Sequence, residues 1–406
     1  MFGNRELWAV SIASGIRSIG FGANWPFMAI FLNRTLGVPV SVVGIVFTLG
    51  SVVSIIFSIL GGGFADMIGR KRTLLVGSLL SAGLFLLMAV FLIEGASVLA
   101  IVIVFIFTSV GGSLIFPSAN ALVADVTSES ERVNGYVVYR IMANLGWAIG
   151  PLSGSIIDPY GIYWIFLLVT LCSAVQGVLV LFLVKDRWME RRNAEHLSNK
   201  ARVKFISFDR LLLIFTAGTF MVTLVSSQFS VTLPLYAENV VVNQTNLIGY
   251  IYAVNGVVVV IGQYPMTNFM KRYPEILSMI LGAIAYSVGY LLVGFSSDLT
   301  ELIADMVIIT LGENLVSPVM NSIVSKIAPG EKLARYLGFL GMVNSSGRAF
   351  GPSVGAFFLS IYAFDGLKVW SSVDIFGLAA IALFLAFSRA AQIQRKEEHS
   401  PIKSGL

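Results

Sequence analysis

The chain has 406 residues, of which 56% are hydrophobic and only 12% are charged, and its formal net charge is +5. Soluble globular proteins carry roughly 25% charged residues, so this composition excludes an ordinary soluble protein. Apolar runs of about twenty residues recur along the whole chain without alternation, which predicts membrane-spanning helices and excludes the strands of a membrane barrel.

Twelve spans are predicted. The first run is too long, and too interrupted by Arg17 and Asn24, to be a cleaved signal peptide. The single cysteine, Cys172, lies within the sixth span, so no internal disulfide can form. In chain order the predicted spans are 8–32, 41–65, 73–93, 98–120, 136–157, 160–184, 211–236, 248–269, 276–295, 302–323, 337–361 and 370–388.

The basic residues predict the orientation of these spans. With the N-terminus in the cytoplasm, 22 of the 27 Lys and Arg residues fall in cytoplasmic segments. Positive residues stay in the cytoplasm during insertion, so we expect a multi-pass protein of the plasma membrane with both termini cytoplasmic. The positive net charge therefore orients the chain and does not indicate nucleic-acid binding.

The two halves of the chain are related by an internal repeat. A shift of 201 positions places Pro117 and Asn120 on Pro318 and Asn321. The same shift aligns two copies of the pattern G-x-A-x-G-P-x-x-G, at 146–154 and 347–355. The sequence thus predicts two parallel six-helix bundles, at 1–184 and 211–388, joined by a cytoplasmic linker at 185–210 and followed by a cytoplasmic tail at 389–406.

The loop after the second span reads GGGFADMIGRKR and concentrates four charges between apolar runs. This chain resembles the major facilitator superfamily of secondary transporters end to end, and it departs from the family pattern at Met67, where a basic residue is usual. The resemblance implies twelve helices in two pseudo-symmetric bundles around a central cavity. It also implies that the protein works by alternating access as a monomer. The signature G-x-x-x-D-(R/K)-x-G-R-(K/R) is matched at Gly62, Asp66, Gly69, Arg70 and Lys71.

These loop residues predict a cytoplasmic gate. Glycines such as Gly62 let another helix approach closely, and Gly69 allows a tight turn. Asp66 is placed to meet the positive N-terminal end of a helix, which by resemblance is the eleventh. Arg70 is placed to pair with Asp125 at the end of the fourth span. The gate prediction therefore comprises Gly62, Asp66, Gly69, Arg70, Lys71 and Asp125.

The repeated glycine–proline pattern predicts helix bending and close helix contact. Proline removes a backbone donor, and the flanking glycines permit close packing. In the family these helices form the interface between the two halves. The full fifth-span motif is associated with antiporters there. The motif is partial in this chain, because Val137 stands where an upstream glycine is expected. The residues assigned to this role are Gly146, Gly150, Pro151, Gly154, Gly351, Pro352 and Gly355.

Ionisable groups at membrane depth are functional candidates. Glu313 is the one carboxylate predicted deep in a span, and Arg348 falls at similar depth in the next span, so the two are predicted to form a proton-coupling pair. Arg17 is predicted to contact substrate, because the first span lines the cavity in the family. The further substrate-binding candidates are Asn24, Trp25, Gln228, Asn255 and Asn314.

The resemblance and the deep charges favour a proton-coupled secondary transporter of a small molecule, with efflux of lipophilic compounds ahead of an organic-anion or metabolite symporter. Three arginines at membrane depth, Arg17, Arg140 and Arg348, against one glutamate favour anionic solutes. The aromatic, weakly polar lining instead favours broad exporters. No G-x-x-x-x-G-K-[ST] loop occurs, so ATP is not expected to drive transport. An intramembrane enzyme is disfavoured, because both histidines, His196 and His399, lie in the linker or tail; no catalytic residue, metal or cofactor is expected.

Overall fold

The computed structural model describes residues 4–128, 131–186, 209–241, 246–329 and 332–398. The predicted linker, including His196, lies outside these residues apart from its first and last two positions. The end of the predicted tail, with His399, also lies outside them.

Within the described ranges every regular element is helical. A π-helical turn, Phe31–Thr35, extends the first helix, and short 3₁₀ turns occupy Asp158–Tyr160 and Ser227–Phe229. The α-helices are α1 (Arg5–Ile30), α2 (Val40–Ile68), α3 (Arg70–Ile93), α4 (Val98–Val126), α5 (Arg132–Ile157), α6 (Ile162–Leu183), α7 (Arg210–Ser226), α8 (Thr232–Val240), α9 (Leu247–Arg272), α10 (Glu275–Val293), α11 (Leu299–Val316), α12 (Val319–Ile327), α13 (Leu333–Ile361) and α14 (Gly366–Glu398).

Nine segments of the described chain are long and apolar enough to cross a membrane. Helices α1, α5 and α13 are not among them, although they are 26, 26 and 29 residues long, and each contains an internal arginine. Many large apolar side chains point outward, such as Ile59 and Phe182, which are 74% and 76% exposed and suited to contact lipid. The predicted all-helical membrane protein is confirmed, and the count of twelve spans stays a prediction.

The chain folds into two compact units. One comprises Met1–Arg202 and Leu233–Gly256, and the other comprises Val203–Thr232 and Val257–Leu406. In the first unit the start of α9 packs on α5, where a Cβ atom on Gly256 would stand 2.5 Å from Cβ of Ala148. The bundle boundaries expected from the sequence stay a prediction.

Each unit uses the same scheme of helix packing. In the first unit α1 packs against α5 and α6, and α3 packs against α4 and α6. In the second unit α7 packs against α13 and α14, and α10 packs against α11 and α14. These are the contacts that a repeat of six helices predicts.

A pair of facing glycines recurs in the two units. A Cβ atom on Gly77 of α3 would stand 3.0 Å from the carbonyl oxygen of Gly111 on α4. The same 3.0 Å separates a Cβ atom on Gly282 of α10 from the carbonyl oxygen of Gly312 on α11. Small residues let helix backbones approach this closely in a bilayer, so the two units share a packing device as well as a helix order.

Candidate functional site

The turn between α2 and α3 depends on Gly69, whose φ is 94°. This left-handed conformation is one that only glycine adopts readily. It ends α2 at Ile68 and lets α3 begin at Arg70 without an intervening loop. The tight turn therefore brings the basic residues of the motif to the first turn of α3.

Those basic residues bind the ends of two neighbouring helices within the first unit. Arg70 forms the expected ion pair with Asp125, near the end of α4, and also donates to the carbonyl oxygen of Ala121 at 3.3 Å. Lys71 Nζ donates to the carbonyl oxygen of Leu181 at 2.9 Å, in the last turn of α6. A cation is favourable at a helix C-terminus, because free carbonyl groups concentrate negative charge there.

The remaining gate residues lie on α2. Gly62 is exposed, and no described atom lies within 4 Å of a Cβ atom placed there, whereas a Cβ atom on Gly61 would stand 2.8 Å from Cδ2 of Leu114. Asp66 lies in the last turn of α2, and its side chain is outside the described part of the chain. The gate role of this set stays a prediction.

The Arg70–Asp125 pair yields a stability prediction. The two side chains are 25% and 18% exposed, so we expect the double-mutant cycle of Arg70→Gln and Asp125→Asn to give a coupling free energy of about 1 kcal/mol. The control pair, Arg72 and Asp186, is more exposed at 53% and 31%, and we expect its coupling to be near zero. Thermal unfolding of purified variants measures both, and strict additivity at Arg70 and Asp125 would contradict the prediction.

The glycines of the repeated G-x-A-x-G-P-x-x-G pattern pack within each unit. On α5, a Cβ atom on Gly146 would stand 2.0 Å from the carbonyl oxygen of Gly15, and one on Gly150 would stand 2.6 Å from that of Ile19. On α13, a Cβ atom on Gly351 would stand 1.6 Å from Oγ of Ser227. The pattern therefore joins α5 to α1 and α13 to the end of α7.

The last glycine of each repeated pattern also packs within its own unit. Gly154 packs on the Ala23 carbonyl oxygen, and Gly355 packs on Gln228. Both α5 and α13 continue as helices through Pro151 and Pro352. Bending at these prolines and a role at the interface between the halves stay predictions.

Arg17 lies in the middle of α1, among α4 and α5 of the first unit. Its Cζ is 5.5 Å from the centre of the Phe21 ring, a cation–π distance. Its Nη2 would stand 2.9 Å from a Cβ atom on Gly112, so the missing side chain of α4 makes room for the guanidinium. Tyr139 of α5 is buried and close enough to interact with Arg17 electrostatically.

A row of aromatic rings continues along α1 from Arg17. Phe21 and Trp25 have ring centres 5.1 Å apart, and Phe21 and Trp147 of α5 have ring centres 5.8 Å apart. Trp25 also meets Phe47 of α2 edge-on at 5.2 Å. The partly exposed rings of Phe21, Trp25 and Trp147 offer an apolar surface beside a positive charge.

The predicted polar contacts divide into two groups. Asn24 is 1% exposed and its Oδ1 accepts no hydrogen bond among the described residues, whereas Asn255 is buried with interactions of its own. Gln228 donates to the carbonyl oxygens of Leu224 and Gly351 at 2.8 and 3.1 Å. Asn314 donates to the carbonyl oxygen of Val258 at 3.1 Å, which ties α11 to α9. Gln228 and Asn314 thus join helices of the second unit, and substrate contact at these positions stays a prediction.

Glu313 lies at the midpoint of the apolar segment Leu299–Ile327, on α11 of the second unit. Tyr286 and Tyr290 of α10 are close enough to interact with its carboxylate electrostatically. Tyr290 in turn donates its hydroxyl hydrogen to the carbonyl oxygen of Ser226 at 3.3 Å, at the end of α7. The Arg348 side chain is exposed on α13, and its pairing with Glu313 stays a prediction.

One charged cluster was not anticipated from the sequence. Arg34, which follows α1, pairs with Glu238 near the end of α8 at 3.2 Å and also donates to its backbone carbonyl oxygen. Asp158, which follows α5, interacts electrostatically with the same glutamate. The three residues are far apart in sequence and lie after the predicted first, fifth and seventh spans, so only the folded unit brings them together.

The cluster predicts a pH-dependent stability. Burial raises the pKa of the Glu238 carboxyl above its ordinary value of 4.5; Arg34 opposes this shift, and the negative charge of Asp158 adds to it. Burial raises the pKa of Asp158 as well. The folded unit therefore binds more protons than the unfolded chain above about pH 4.5, so its free energy of unfolding should fall as the pH rises through the raised values.

We expect Glu238→Gln to flatten this fall, because the variant has no carboxyl to titrate at that position. Glu94→Gln is the matched control, since Glu94 is an exposed carboxylate after α3. Melting temperatures of the purified variants from about pH 4.5 to neutrality measure the effect. An unchanged slope in Glu238→Gln would remove the cluster as its source.

The helical repeat, the close glycine contacts and the motif turn agree with a comparison of the sequence with protein families. The profile of the Major Facilitator Superfamily matches residues 10–274 and 218–404. The chain belongs to this superfamily. It is therefore a multi-pass membrane transporter, and the resemblance stated from the loop motif is confirmed.

Relatives within the superfamily cover nearly the full chain. The MFS-type transporter YqjV of Bacillus subtilis (strain 168) is 27% identical over 409 residues, which cover 98% of this chain and 97% of YqjV. A Na(+), Li(+), K(+)/H(+) antiporter of Planococcus maritimus is 24% identical, covering 86% and 88% of the two chains. The multidrug resistance protein MdtH of Edwardsiella ictaluri (strain 93-146) is 23% identical, covering 90% of each.

Solved structures of the superfamily share the fold. The crystal structure of the nucleoside transporter NupG aligns with a TM-score of 0.77 at 15% identity, covering 94% of this chain and 98% of that one. At this identity the likeness establishes the helical architecture and carries nothing about the substrate.

Proposed function

We propose that the protein is a proton-coupled secondary transporter that exports lipophilic small molecules across the plasma membrane by alternating access. The observation that carries the proposal is Glu313, a carboxylate at the midpoint of an apolar segment beside Tyr286 and Tyr290. Relatives named as an H+ antiporter and as a multidrug resistance protein support coupling and export.

Glu313 is suited to take up and release a proton during the transport cycle. A carboxylate at this depth loses hydration, which favours its neutral form, whereas nearby positive charge or donated hydrogen bonds favour the anion. Tyr286 and Tyr290 of α10 form part of these surroundings, so a shift of α10 relative to α11 would change the balance between the two forms. An alternation between these surroundings would couple protonation to the conformation of the second unit.

The driving force in this proposal is an ion gradient, with no ATP and no bound cofactor. Both termini lie in the cytoplasm, and a single chain carries out the cycle. The gate residues around Asp66 and the Arg70–Asp125 pair hold the cytoplasmic side closed in one state and release it in the other.

Reconstituted vesicles test the proposal. The probes are three naphthalene derivatives that differ in charge: 1-naphthoate, 1-naphthamide and 1-naphthylmethylammonium. We expect at least one of them to accumulate against its gradient when a pH gradient is imposed, and a protonophore to abolish the accumulation. Accumulation that persists with the protonophore, or that requires ATP, would contradict proton coupling.

A second candidate function is an organic-anion or metabolite symporter of the same superfamily. Arg17 favours it, because the described residues provide no carboxylate partner for this guanidinium. The direction of coupled flux separates the two: an antiporter moves substrate against the proton flow, and a symporter moves both together. An intramembrane enzyme is disfavoured by the membership in a transporter superfamily.

A further inference from the structure

Arg17 has no carboxylate neighbour among the described residues of its unit. Between Glu6 and Asp66 the sequence has no Asp or Glu, and the spans 73–93, 98–120, 136–157 and 160–184 contain none either. Among the described residues the neighbour that interacts with Arg17 electrostatically is Tyr139, which is not an anion at neutral pH. A cation at membrane depth without a counter-charge is costly, so the site favours an anion from outside the unit.

The guanidinium of Arg17 fits against α4 because position 112 is a glycine. Glycine at position 112 removes the side chain that would meet Nη2 at 2.9 Å. The Arg17 residue is only partly buried against the described residues. A guanidinium presents these donors in a planar fork that matches a carboxylate.

An apolar surface begins next to this fork. Phe21 lies one helical turn from Arg17, and its ring centre is 5.1 Å from that of Trp25 and 5.8 Å from that of Trp147. Trp25 lies eight positions after Arg17, which corresponds to a rise of about 12 Å along α1. The site therefore combines one positive group with an aromatic surface that matches a ring system of one or two rings.

We propose that the first unit binds amphipathic organic anions, with a carboxylate on Arg17 and an aromatic body against Phe21, Trp25 and Trp147. This inference rests on the proposed transport function and specifies its substrate class: lipophilic compounds that carry one negative charge. Neutral and cationic compounds of the same shape lack the group that Arg17 requires.

Binding to the full-length purified protein tests the inference without any gradient. The readout is quenching of tryptophan fluorescence, since Trp25 and Trp147 lie in the site, with thermal stabilisation as a second measure. We expect 1-naphthoate to bind at least about tenfold more tightly than 1-naphthamide or 1-naphthylmethylammonium, because a charge-assisted hydrogen bond is lost in the latter two.

Variants of the site separate charge from geometry. We expect Arg17→Gln to weaken naphthoate binding about 10- to 100-fold and Arg17→Lys to weaken it less, because lysine keeps the charge and loses the fork. Gly112→Ala crowds Nη2 and should weaken binding while leaving the charge in place. The matched control is Arg132→Gln, an exposed arginine at the start of α5, which should bind naphthoate as the wild type does.

The outcomes separate this inference from the proposed function. Equal affinity for the three probes, or an Arg17→Gln variant that folds and binds naphthoate normally, overturns the anion site even if proton-driven transport of another probe is observed. Selective naphthoate binding that depends on Arg17, without proton-driven transport, upholds the anion site and overturns the proposed coupling.

Discussion

Replacing Glu313 with glutamine should abolish proton-driven accumulation of substrate while preserving exchange of substrate across the membrane. Glutamine keeps the size and hydrogen-bonding capacity of the side chain but cannot bind or release a proton. Glu313 lies at the midpoint of its apolar segment, far from both ends where water can supply a proton. The expected accumulation ratio in the variant is therefore that of passive equilibration.

Two assays on the same vesicles separate coupling from transport. Counterflow of labelled against unlabelled substrate needs only alternating access, and we expect it to continue in Glu313→Gln. The control Glu301→Gln changes a carboxylate in the first turn of the same helix, which is exposed and should leave accumulation intact. Normal accumulation in Glu313→Gln would exclude this residue from coupling.

The second large effect is expected at the contact between α1 and α5. In Gly146→Ala the added methyl group would stand 2.0 Å from the Gly15 carbonyl oxygen and 2.9 Å from Cβ of Ser18. The Gly15 oxygen belongs to the backbone, and Cβ of Ser18 is fixed to it. Rotation of a side chain therefore cannot relieve either contact, and the two helices must move apart. We expect a loss of about 1–3 kcal/mol in the free energy of unfolding, or more if the unit fails to assemble.

The control for this substitution is Gly83→Ala on α3. No described atom lies within 4 Å of a Cβ atom at Gly83, and alanine is the better helix former. We therefore expect opposite signs: a lower melting temperature for Gly146→Ala and an unchanged or higher one for Gly83→Ala. A Gly146→Ala variant as stable as the wild type would contradict the close packing described for this motif.

The positions of most helices can be predicted from the apolar runs of the sequence, but the breaks within those helices cannot. The predicted span 41–65 corresponds to α2, Val40–Ile68. The predicted span 211–236 is interrupted by the 3₁₀ turn at Ser227–Phe229. The predicted span 302–323 is interrupted by a turn at Ser317 and Pro318. Pro117, at the matching position of the first repeat, lies within the continuous helix α4, so the same residue has different effects in different tertiary surroundings.

In the candidate site, too, contacts between neighbouring spans could be predicted from the sequence, whereas contacts between distant segments could not. The Arg70–Asp125 contact was predictable, because both residues sit at ends of spans that a short connection keeps together. The Arg34–Glu238 pair was not, because it depends on which of many distant segments meet. Depth along a span is readable from sequence, whereas rotation about the helix axis is not, so Tyr286 and Tyr290 could not be assigned as neighbours of Glu313.

The most direct test of the account is the number of protons that the protein releases when it binds substrate. Purified protein in weakly buffered solution, with a pH-sensitive dye, receives 1-naphthoate near neutral pH, and the same titration is repeated with Glu313→Gln. Proton release by the wild type that disappears in Glu313→Gln is the predicted result, since an antiporter binds substrate and proton in alternation and Glu313 is the proposed proton carrier. Substrate binding without proton release in the wild type would contradict a proton-coupled exporter.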